Sequence, residues 1–125
     1  MKQDIRRIPD SELEVMQALW SIEAPVCRSA LEAVLAKTHP MAQTTVLTLL
    51  SRLAEKGFIR IEKSGRSSVY TPLVTRHDYL SVQSGRFVEK LCGGSVSAFA
   101  AALCDSGLSR AELDELRRLL EENAL

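Results

Sequence analysis

The stretch that decides the fold runs from Met41 to Gly57 and reads MAQTTVLTLLSRLAEKG. Its large apolar side chains recur at the 3.6-residue spacing of a helix that buries one face. That face consists of Val46, Leu49, Leu50 and Leu53. The opposite face consists of Thr44, Thr48, Ser51 and Glu55, flanked by Leu47 and Arg52. The pattern therefore predicts an amphipathic helix whose outer face is rich in small hydroxyl groups.

An outer face of this kind can approach another surface closely while offering hydrogen bonds and a methyl contact. The major groove of DNA is read with such groups: short donors and acceptors for base edges, an apolar group for the thymine methyl, and arginine for guanine. An ordinary solvated face that happens to be rich in threonine is the alternative. The helix alone does not distinguish the two interpretations, so the surrounding sequence has to decide.

The length of 125 residues suits one domain, or one small domain with an appended oligomerisation segment. Apolar residues make up 46% and charged residues 26%, which is usual for a soluble globular protein. No apolar run reaches the roughly 18 residues of a membrane span, and the N-terminus lacks the apolar stretch of a signal peptide. We therefore expect a cytoplasmic protein that is not inserted in a membrane.

The charges are balanced overall but unevenly distributed. Residues 42–72 hold five basic and two acidic side chains. In contrast, residues 1–36 hold four basic and six acidic side chains, and residues 76–125 hold six basic and eight acidic ones. A local surplus of cations is expected where one region of a chain meets phosphates. This surplus lies on the predicted helix and on the residues that follow it.

Motifs of enzymes and metal sites are absent from the sequence. Cys27, Cys92 and Cys104 are widely separated and have no zinc-site spacing, so we expect small apolar thiols in or near a core. His39 and His77 have no nucleophile or metal partner nearby, and no phosphate-cradling glycine loop is present. We therefore expect no catalytic residues, no metal and no cofactor.

Two further helices precede the opening stretch. Helix 1 is predicted from about Asp10 to Ser21, with either Asp10 or a Ser11–Glu14 capping box at its start. Helix 2 is predicted over about Cys27–Lys37, after a break at Pro25. The opening stretch, closed by Lys56-Gly57, is then helix 3.

A β-hairpin follows helix 3. Two short β-rich segments flank the polar turn Lys63–Ser68, whose cations are Lys63 and Arg66, and Pro72 ends the second segment. Three helices followed by a basic hairpin is the order of a winged helix-turn-helix, in which helix 3 enters the major groove and the wing contacts the backbone. The predicted fold is thus mainly α with a small β-hairpin, with residues 1–74 as the DNA-binding domain.

Residues 75–125 are predicted to form a helical dimerisation segment. Helix 4 ends at Gly93-Gly94, an apolar stretch of small residues follows, and a Ser109–Glu112 capping box opens a last helix. Three short helices with this much apolar surface cannot bury it alone, so a twofold homodimer is expected; a monomeric cap on the winged helix is the alternative. The residues predicted to form the dimer contact are Phe87, Leu91, Val96, Phe99, Leu103, Leu113, Leu116 and Leu120.

These features resemble the penicillinase-repressor family of the BlaI/MecI type, which includes copper-responsive repressors. The resemblance covers roughly residues 8–120. The matching segments are Asp10–Met16 with Leu19-Trp20; Thr45-Val46 and Thr48–Leu53 with Lys56-Gly57; Gly65-Arg66 with Tyr70–Pro72; and Gly93–Ser95 before Leu108-Ser109. Each segment is weakly specific alone, whereas their order and spacing together are specific.

The resemblance implies a homodimeric winged-helix repressor that binds an inverted-repeat operator upstream of a resistance gene. In the antibiotic-responsive branch, a membrane-embedded sensor protease triggers cleavage of the repressor at an Asn-Phe pair. That position corresponds here to Ala101-Ala102, so the cleavage specificity is not carried over. The copper-branch cysteine motif is also missing from the C-terminus. At the start of helix 3, Met41–Thr45 replaces the family's Trp-Ser-Pro-Lys-Thr.

Residues and resemblance together predict a double-stranded DNA interface on helix 3 and the wing. The predicted DNA-binding residues are Gln43, Thr44, Thr45, Leu47, Thr48, Arg52, Lys56, Lys63 and Arg66. Two other classes of function stay open at this point. One is a regulator that binds a small molecule between the C-terminal helices and the winged helix, and the other is a winged helix used only for protein interactions.

Overall fold

The computed structural model of the chain describes residues 5–123. In chain order its elements are α1 (Asp10–Trp20), β1 (Val26–Cys27), α2 (Arg28–Thr38), α3 (Gln43–Glu55), β2 (Ile59–Ser64), β3 (Ser67–Pro72), α4 (Arg76–Lys90), α5 (Val96–Asp105) and α6 (Arg110–Asn123). This order confirms the predicted helical fold with a hairpin. The described chain divides into two compact units, residues 5–83 and 84–123, so α4 begins in the first and ends in the second.

The core of the first unit is aliphatic and is built around α3. All four residues predicted for its inner face are buried, each at most 4% exposed. They share the core with Val15, Met16 and Leu19 of α1 and with Leu31 and Leu35 of α2. Because α3 buries this face completely, its hydroxyl-rich side is left at the surface.

The C-terminal end of α3 has a fixed geometry. Gly57 adopts a φ of +80°, a left-handed conformation that glycine tolerates best. The amide of Phe58 donates to the Leu53 carbonyl over 2.9 Å, and the amide of Gly57 donates to the Ala54 carbonyl over 3.1 Å. This pair of bonds is a Schellman motif, which satisfies carbonyls that the helix end would otherwise leave unpaired. The predicted helix stop at Lys56-Gly57 is thus confirmed.

The predicted hairpin is confirmed, and it belongs to a three-stranded antiparallel sheet of order β1-β3-β2. The two-residue turn begins with Gly65 at a φ of +64°, a value that suits the first central position of a hairpin turn. The sequence did not predict β1, whose two residues pair with β3 at Val26↔Tyr70 and Cys27↔Val69. This pairing attaches the start of α2 to the wing.

The start of the described chain differs from the prediction. The N-cap of α1 is Pro9, and no side chain caps the helix, so neither Asp10 nor the Ser11–Glu14 box acts as predicted. Ile5 and Ile8 lie in the core, 8% and 2% exposed. The amide of Ile8 donates to the Tyr79 hydroxyl over 3.1 Å. The segment that precedes α1 is therefore packed against the domain through Ile5 and Ile8.

The second unit contains the end of α4 together with α5 and α6. The predicted capping box is confirmed: the amide of Glu112 donates to the Ser109 hydroxyl over 3.1 Å, and the amide of Ser109 donates to the Glu112 carboxylate over 2.8 Å. The Phe87 and Phe99 rings meet edge to face at 5.7 Å. No residue of α5 or α6 is buried within the described chain. Across residues 5–123, no helix is long and apolar enough to cross a membrane.

Candidate nucleic-acid interface

The outer face of α3 is exposed along its first two turns. The predicted residues Gln43, Thr44, Thr45, Leu47 and Thr48 are all at the surface, with Leu47 37% exposed. The first turn contains no acidic side chain, and no side chain caps it. The first amides of a helix have no intrahelical acceptor and attract anions. This end of α3 therefore offers backbone donors where the family has a lysine.

The Thr48 hydroxyl has a defined orientation. Its Oγ1 donates a hydrogen bond of 3.0 Å to the carbonyl oxygen of Thr44, one turn earlier. Threonine in a helix commonly makes this bond to the preceding turn. Because the proton is used within the helix, Thr48 presents its oxygen lone pairs and its methyl group to a ligand.

Two surface depressions contain most of the predicted DNA-binding residues of α3. A shallow groove of about 210 Å³ is lined by Thr44, Thr45, Thr48, Leu49 and Arg52. Leu47 faces the second depression, a cleft toward the wing. Gln43 lines neither of them; it borders a separate hollow with Met41 and Pro40.

The cleft has a volume of about 410 Å³ and is bordered by β1, α2, α3 and the two strands of the wing, β2 and β3. It is lined by Cys27, Arg28, Ser29, Glu32, Leu47, Lys63, Arg66, Ser67, Ser68 and Tyr70. The structure thus brings Leu47 of α3 together with the two predicted wing cations, which are far away in sequence. It adds Arg28 and Ser29 at the start of α2, which sequence reasoning missed because the pairing of β1 with β3 has no local sequence signal.

Cys27 occupies the N-cap position of α2 and opens into this cleft. Its Sγ lies 3.3 Å from the Ser29 hydroxyl. That hydrogen bond, with help from the Ala30 backbone, holds the pKa of the Cys27 thiol below its ordinary value. Cys27 and Cys104 are exposed, so the prediction of thiols in or near a core is wrong for these two, whereas Cys92 is half-buried.

Ion pairs separate the cations of residues 42–72 into two groups. Arg60 pairs with Glu62 across 3.1 Å on the wing, and Lys56 pairs with Glu12. Within residues 5–123, Arg52, Lys63 and Arg66 form no ion pair. Arg52 lies beside the groove, and Lys63 and Arg66 lie beside the cleft.

Lys56, which is predicted to neutralise a phosphate, has a partner within the domain. Its Nζ lies 2.5 Å from Oε1 of Glu12, a carboxylate on α1 that is only 2% exposed. A buried carboxylate needs a counter-ion, because removing one partner of such a pair costs roughly 3–5 kcal/mol. The ammonium group of Lys56 is thus paired with a buried carboxylate, while its side chain remains 22% exposed; its role in DNA binding stays a prediction.

The residues predicted for dimerisation lie in the second unit. Phe87, Leu91, Val96 and Leu120 are exposed, at 44%, 74%, 71% and 63%. The other four, Phe99, Leu103, Leu113 and Leu116, are half-buried.

Ala101 and Ala102, at the family's cleavage position, are exposed but lie inside α5. Among residues 5–123, no group of three or more metal-ligating side chains could hold a metal ion.

The order of three helices and a wing, with a polar helix face and free cations beside it, defines a winged helix-turn-helix protein. A profile of the family described as "Penicillinase repressor" matches residues 8–122. The chain is 33% identical over 120 residues to the penicillinase repressor of Bacillus licheniformis, covering 95% of this chain and 93% of that protein. The chain belongs to the penicillinase repressor family.

Two other comparisons agree with this assignment. The transcriptional regulator BlaI of Mycobacterium tuberculosis is 31% identical over 121 residues, covering 94% of this chain and 86% of that protein. The solution structure of the monomeric form of B. licheniformis BlaI in complex with the blaP half-operator matches at 37% identity and a TM-score of 0.51. It covers 60% of this chain and 90% of the BlaI chain. The family consists of DNA-binding transcriptional repressors, not enzymes.

Proposed function

We propose that this protein is a transcriptional repressor that binds an inverted-repeat operator as a homodimer. The observation that carries the proposal is the exposed outer face of α3, whose side chains line both the groove and the cleft toward the wing. Together with the wing, this face combines hydroxyl and methyl groups with three cations that form no ion pair within residues 5–123, Arg52, Lys63 and Arg66. The BlaI monomer of B. licheniformis, a relative of this chain, has been solved in complex with a half-operator, which supports DNA binding by the family fold.

In the proposed complex, α3 enters the major groove. Thr44, Thr45 and Thr48 face base edges or nearby phosphates, and Leu47 is available for a thymine methyl. Lys63 and Arg66 neutralise phosphates on the wing side of the groove, and Arg52 does so on the other side. Gln43 lies at the entry of α3, where a long amide side chain can reach the backbone or a base edge.

The second unit supplies the proposed dimer contact. The exposed apolar side chains of α4, α5 and α6 are covered by a second copy of the chain, which sets the spacing of two α3 helices on two half-sites. A dimer bound at a promoter blocks polymerase sterically. Loss of the dimer halves the phosphate contacts and lowers the affinity steeply. We propose that a sensor, such as a membrane-embedded protease, relieves repression of a resistance or stress operon through this loss.

DNA selection tests the proposal directly. The purified protein is incubated with a pool of random-sequence duplexes, and the bound fraction is amplified and sequenced over several rounds. We expect enrichment of an inverted repeat, bound roughly 10³-fold or more tightly than a random duplex of equal length at physiological salt. A selected pool without a shared sequence, or no binding to any duplex even at low salt, would contradict the proposed function.

A further inference from the structure

Glu12 is the one buried charged side chain among residues 5–123. It lies in the first turn of α1, next to residues whose side chains form the core. Its carboxylate oxygen Oε1 contacts the ammonium group of Lys56, whose side chain is 22% exposed. A buried carboxylate interacts strongly with its cation and tolerates little displacement of it.

Lys56 is the C-cap residue of α3, directly before the Schellman turn at Gly57. A cation at this place also interacts favourably with the carbonyl end of the helix. The ion pair therefore joins α1 to the C-terminal end of α3, three turns from the first turn that carries Thr44 and Thr45. The hydrophobic effect that buries the inner face of α3 is non-directional, whereas the hydrogen-bonded Glu12–Lys56 pair has a preferred direction.

We propose that Glu12 and Lys56 are positioning residues that fix the orientation of α3 in which its hydroxyl face matches DNA. The inference rests on the proposed DNA-binding function. Neither residue contacts DNA in this arrangement. Their effect reaches the bases through the direction of the helix that carries Thr44, Thr45 and Thr48.

The alternative for Lys56, a direct phosphate contact, predicts a different outcome. Loss of a phosphate contact lowers the slope of log affinity against log salt concentration by about 0.9 and weakens all DNA sequences equally. Loss of a positioning pair leaves this slope unchanged and weakens the preferred sequence alone. Glu12→Gln also distinguishes the positioning role from a direct phosphate contact. If Lys56 binds a phosphate, this change releases its ammonium group from Glu12 and DNA binding becomes stronger.

The experiment compares Glu12→Gln, Lys56→Met and the double variant with the unsubstituted full-length protein. Affinities are measured on the duplex selected by the unsubstituted protein and on a random duplex, over a range of salt concentrations. We define the preference of a variant as its affinity for the selected duplex divided by its affinity for the random duplex. We expect each single variant to lower this ratio by at least about tenfold, the equivalent of one good base contact. The salt slope stays unchanged, and the double variant loses no more than either single one. Lys63→Ala serves as the control that does change the slope.

Variants that retain the charge keep the inference testable if the uncharged variants Glu12→Gln and Lys56→Met do not fold. Lys56→Arg retains a cation and is expected to keep the ratio within about threefold of the original. Glu12→Asp retains the charge but withdraws the carboxylate by one methylene, and we expect a folded protein with a reduced ratio. Thermal unfolding followed by circular dichroism identifies the folded variants and sets the temperature of the binding measurements.

The outcomes distinguish this inference from the proposed function. If the unsubstituted protein selects a sequence but folded Glu12→Asp and Lys56→Met keep its preference, the positioning role is wrong and the proposed function stands. If the salt slope falls in Lys56→Met while Glu12→Gln keeps its preference for the selected duplex, Lys56 contacts a phosphate directly and is not a positioning residue. If the unsubstituted protein selects no sequence, both are overturned.

Discussion

The Thr48 hydroxyl donates its proton to the carbonyl oxygen of Thr44, 3.0 Å away on the preceding turn of α3. Two residues of the predicted recognition surface are thereby joined before any DNA is present. The bond orients the Thr48 methyl group and lone pairs outward, so this side chain is preorganised for a base edge.

Thr48→Ala is therefore expected to alter the preferred DNA sequence. Removing the oriented methyl and lone pairs should cost ~1–3 kcal/mol on the selected duplex and little on a random duplex. Competition gel shifts with the two duplexes measure the difference. Ser51→Ala is the matched control, because Ser51 is exposed on the same helix but does not line the groove. Equal losses on both duplexes would remove Thr48 from the base contacts.

The wing makes a separate prediction about salt. Lys63→Ala or Arg66→Ala should weaken binding to all sequences and reduce the salt slope by about 0.9 for each lost phosphate contact. Arg60→Ala removes the same charge from the same hairpin, but Arg60 is paired with Glu62, so we expect a smaller change in slope. Fluorescence anisotropy over a salt series provides the slopes. An unchanged slope in both Lys63→Ala and Arg66→Ala would contradict the assignment of the wing.

Dimerisation is tested by charging the exposed apolar surface of the second unit. Leu91→Glu and Leu120→Glu place carboxylates at side chains that are 74% and 63% exposed in a single chain, so neither substitution buries a charge within that chain. We expect sedimentation velocity to show monomers, and affinity for a duplex with two half-sites to fall to that for one half-site. Leu73→Glu, 51% exposed in the first unit, is the control and should leave association intact. Unchanged dimers in the two tail variants would place the contact elsewhere.

Cys27 is expected to react with alkylating reagents at lower pH than an unperturbed thiol. Its pKa is held down by the Ser29 hydroxyl, so more thiolate is present at a given pH, and thiolate is the nucleophile. The pH dependence of labelling by iodoacetamide, with N-acetylcysteine as the reference, measures this shift. A group added to Cys27 enters the cleft beside Lys63 and Arg66, so labelling should also weaken DNA binding. Cys27→Ser should resist this inhibition; equal inhibition of that variant would assign the effect to another cysteine.

The contact between Ile8 and Tyr79 predicts a stability effect. Tyr79→Phe leaves the buried Ile8 amide without its acceptor and should lower the free energy of unfolding by about 1–3 kcal/mol. Tyr70→Phe is the control, since Tyr70 is equally buried but its hydroxyl has no hydrogen bond within the described chain. Urea unfolding measures both. Equal losses in the two variants would show that the hydrogen bond contributes little.

The sequence was sufficient where structure depends on local periodicity. The inner face of α3, its stop at Gly57, the hairpin and the Ser109–Glu112 box were all predicted because each is specified within a few residues. The resemblance to known repressors agreed with this architecture and with the family assignment. The polar outer face of α3 was predicted for the same reason, since it is the complement of a clear apolar stripe.

Features that depend on distant partners were not predicted. A two-residue strand such as β1 has no periodicity, and its pairing with Tyr70 is visible only in three dimensions. The sequence around Glu12 indicates only a solvent-exposed charge in the first turn of a helix. Its counter-ion Lys56 is 44 residues away and is not apparent from that sequence. For the same reason Lys56 was grouped with the DNA-binding cations. The cleft that brings Leu47 together with Arg28 and the wing depends on the pairing of β1 with β3.

The absence of buried residues in α5 and α6 has a consequence for dosage. Under the proposed dimer, the tail gains its stability from a second chain, so packing of the tail and association form one mass-action equilibrium. The amount of dimer then varies with the square of the monomer concentration when dimers are scarce. A moderate fall in protein abundance would therefore remove a larger share of the operator-bound form, and the tail would make repression sensitive to how many copies the cell contains.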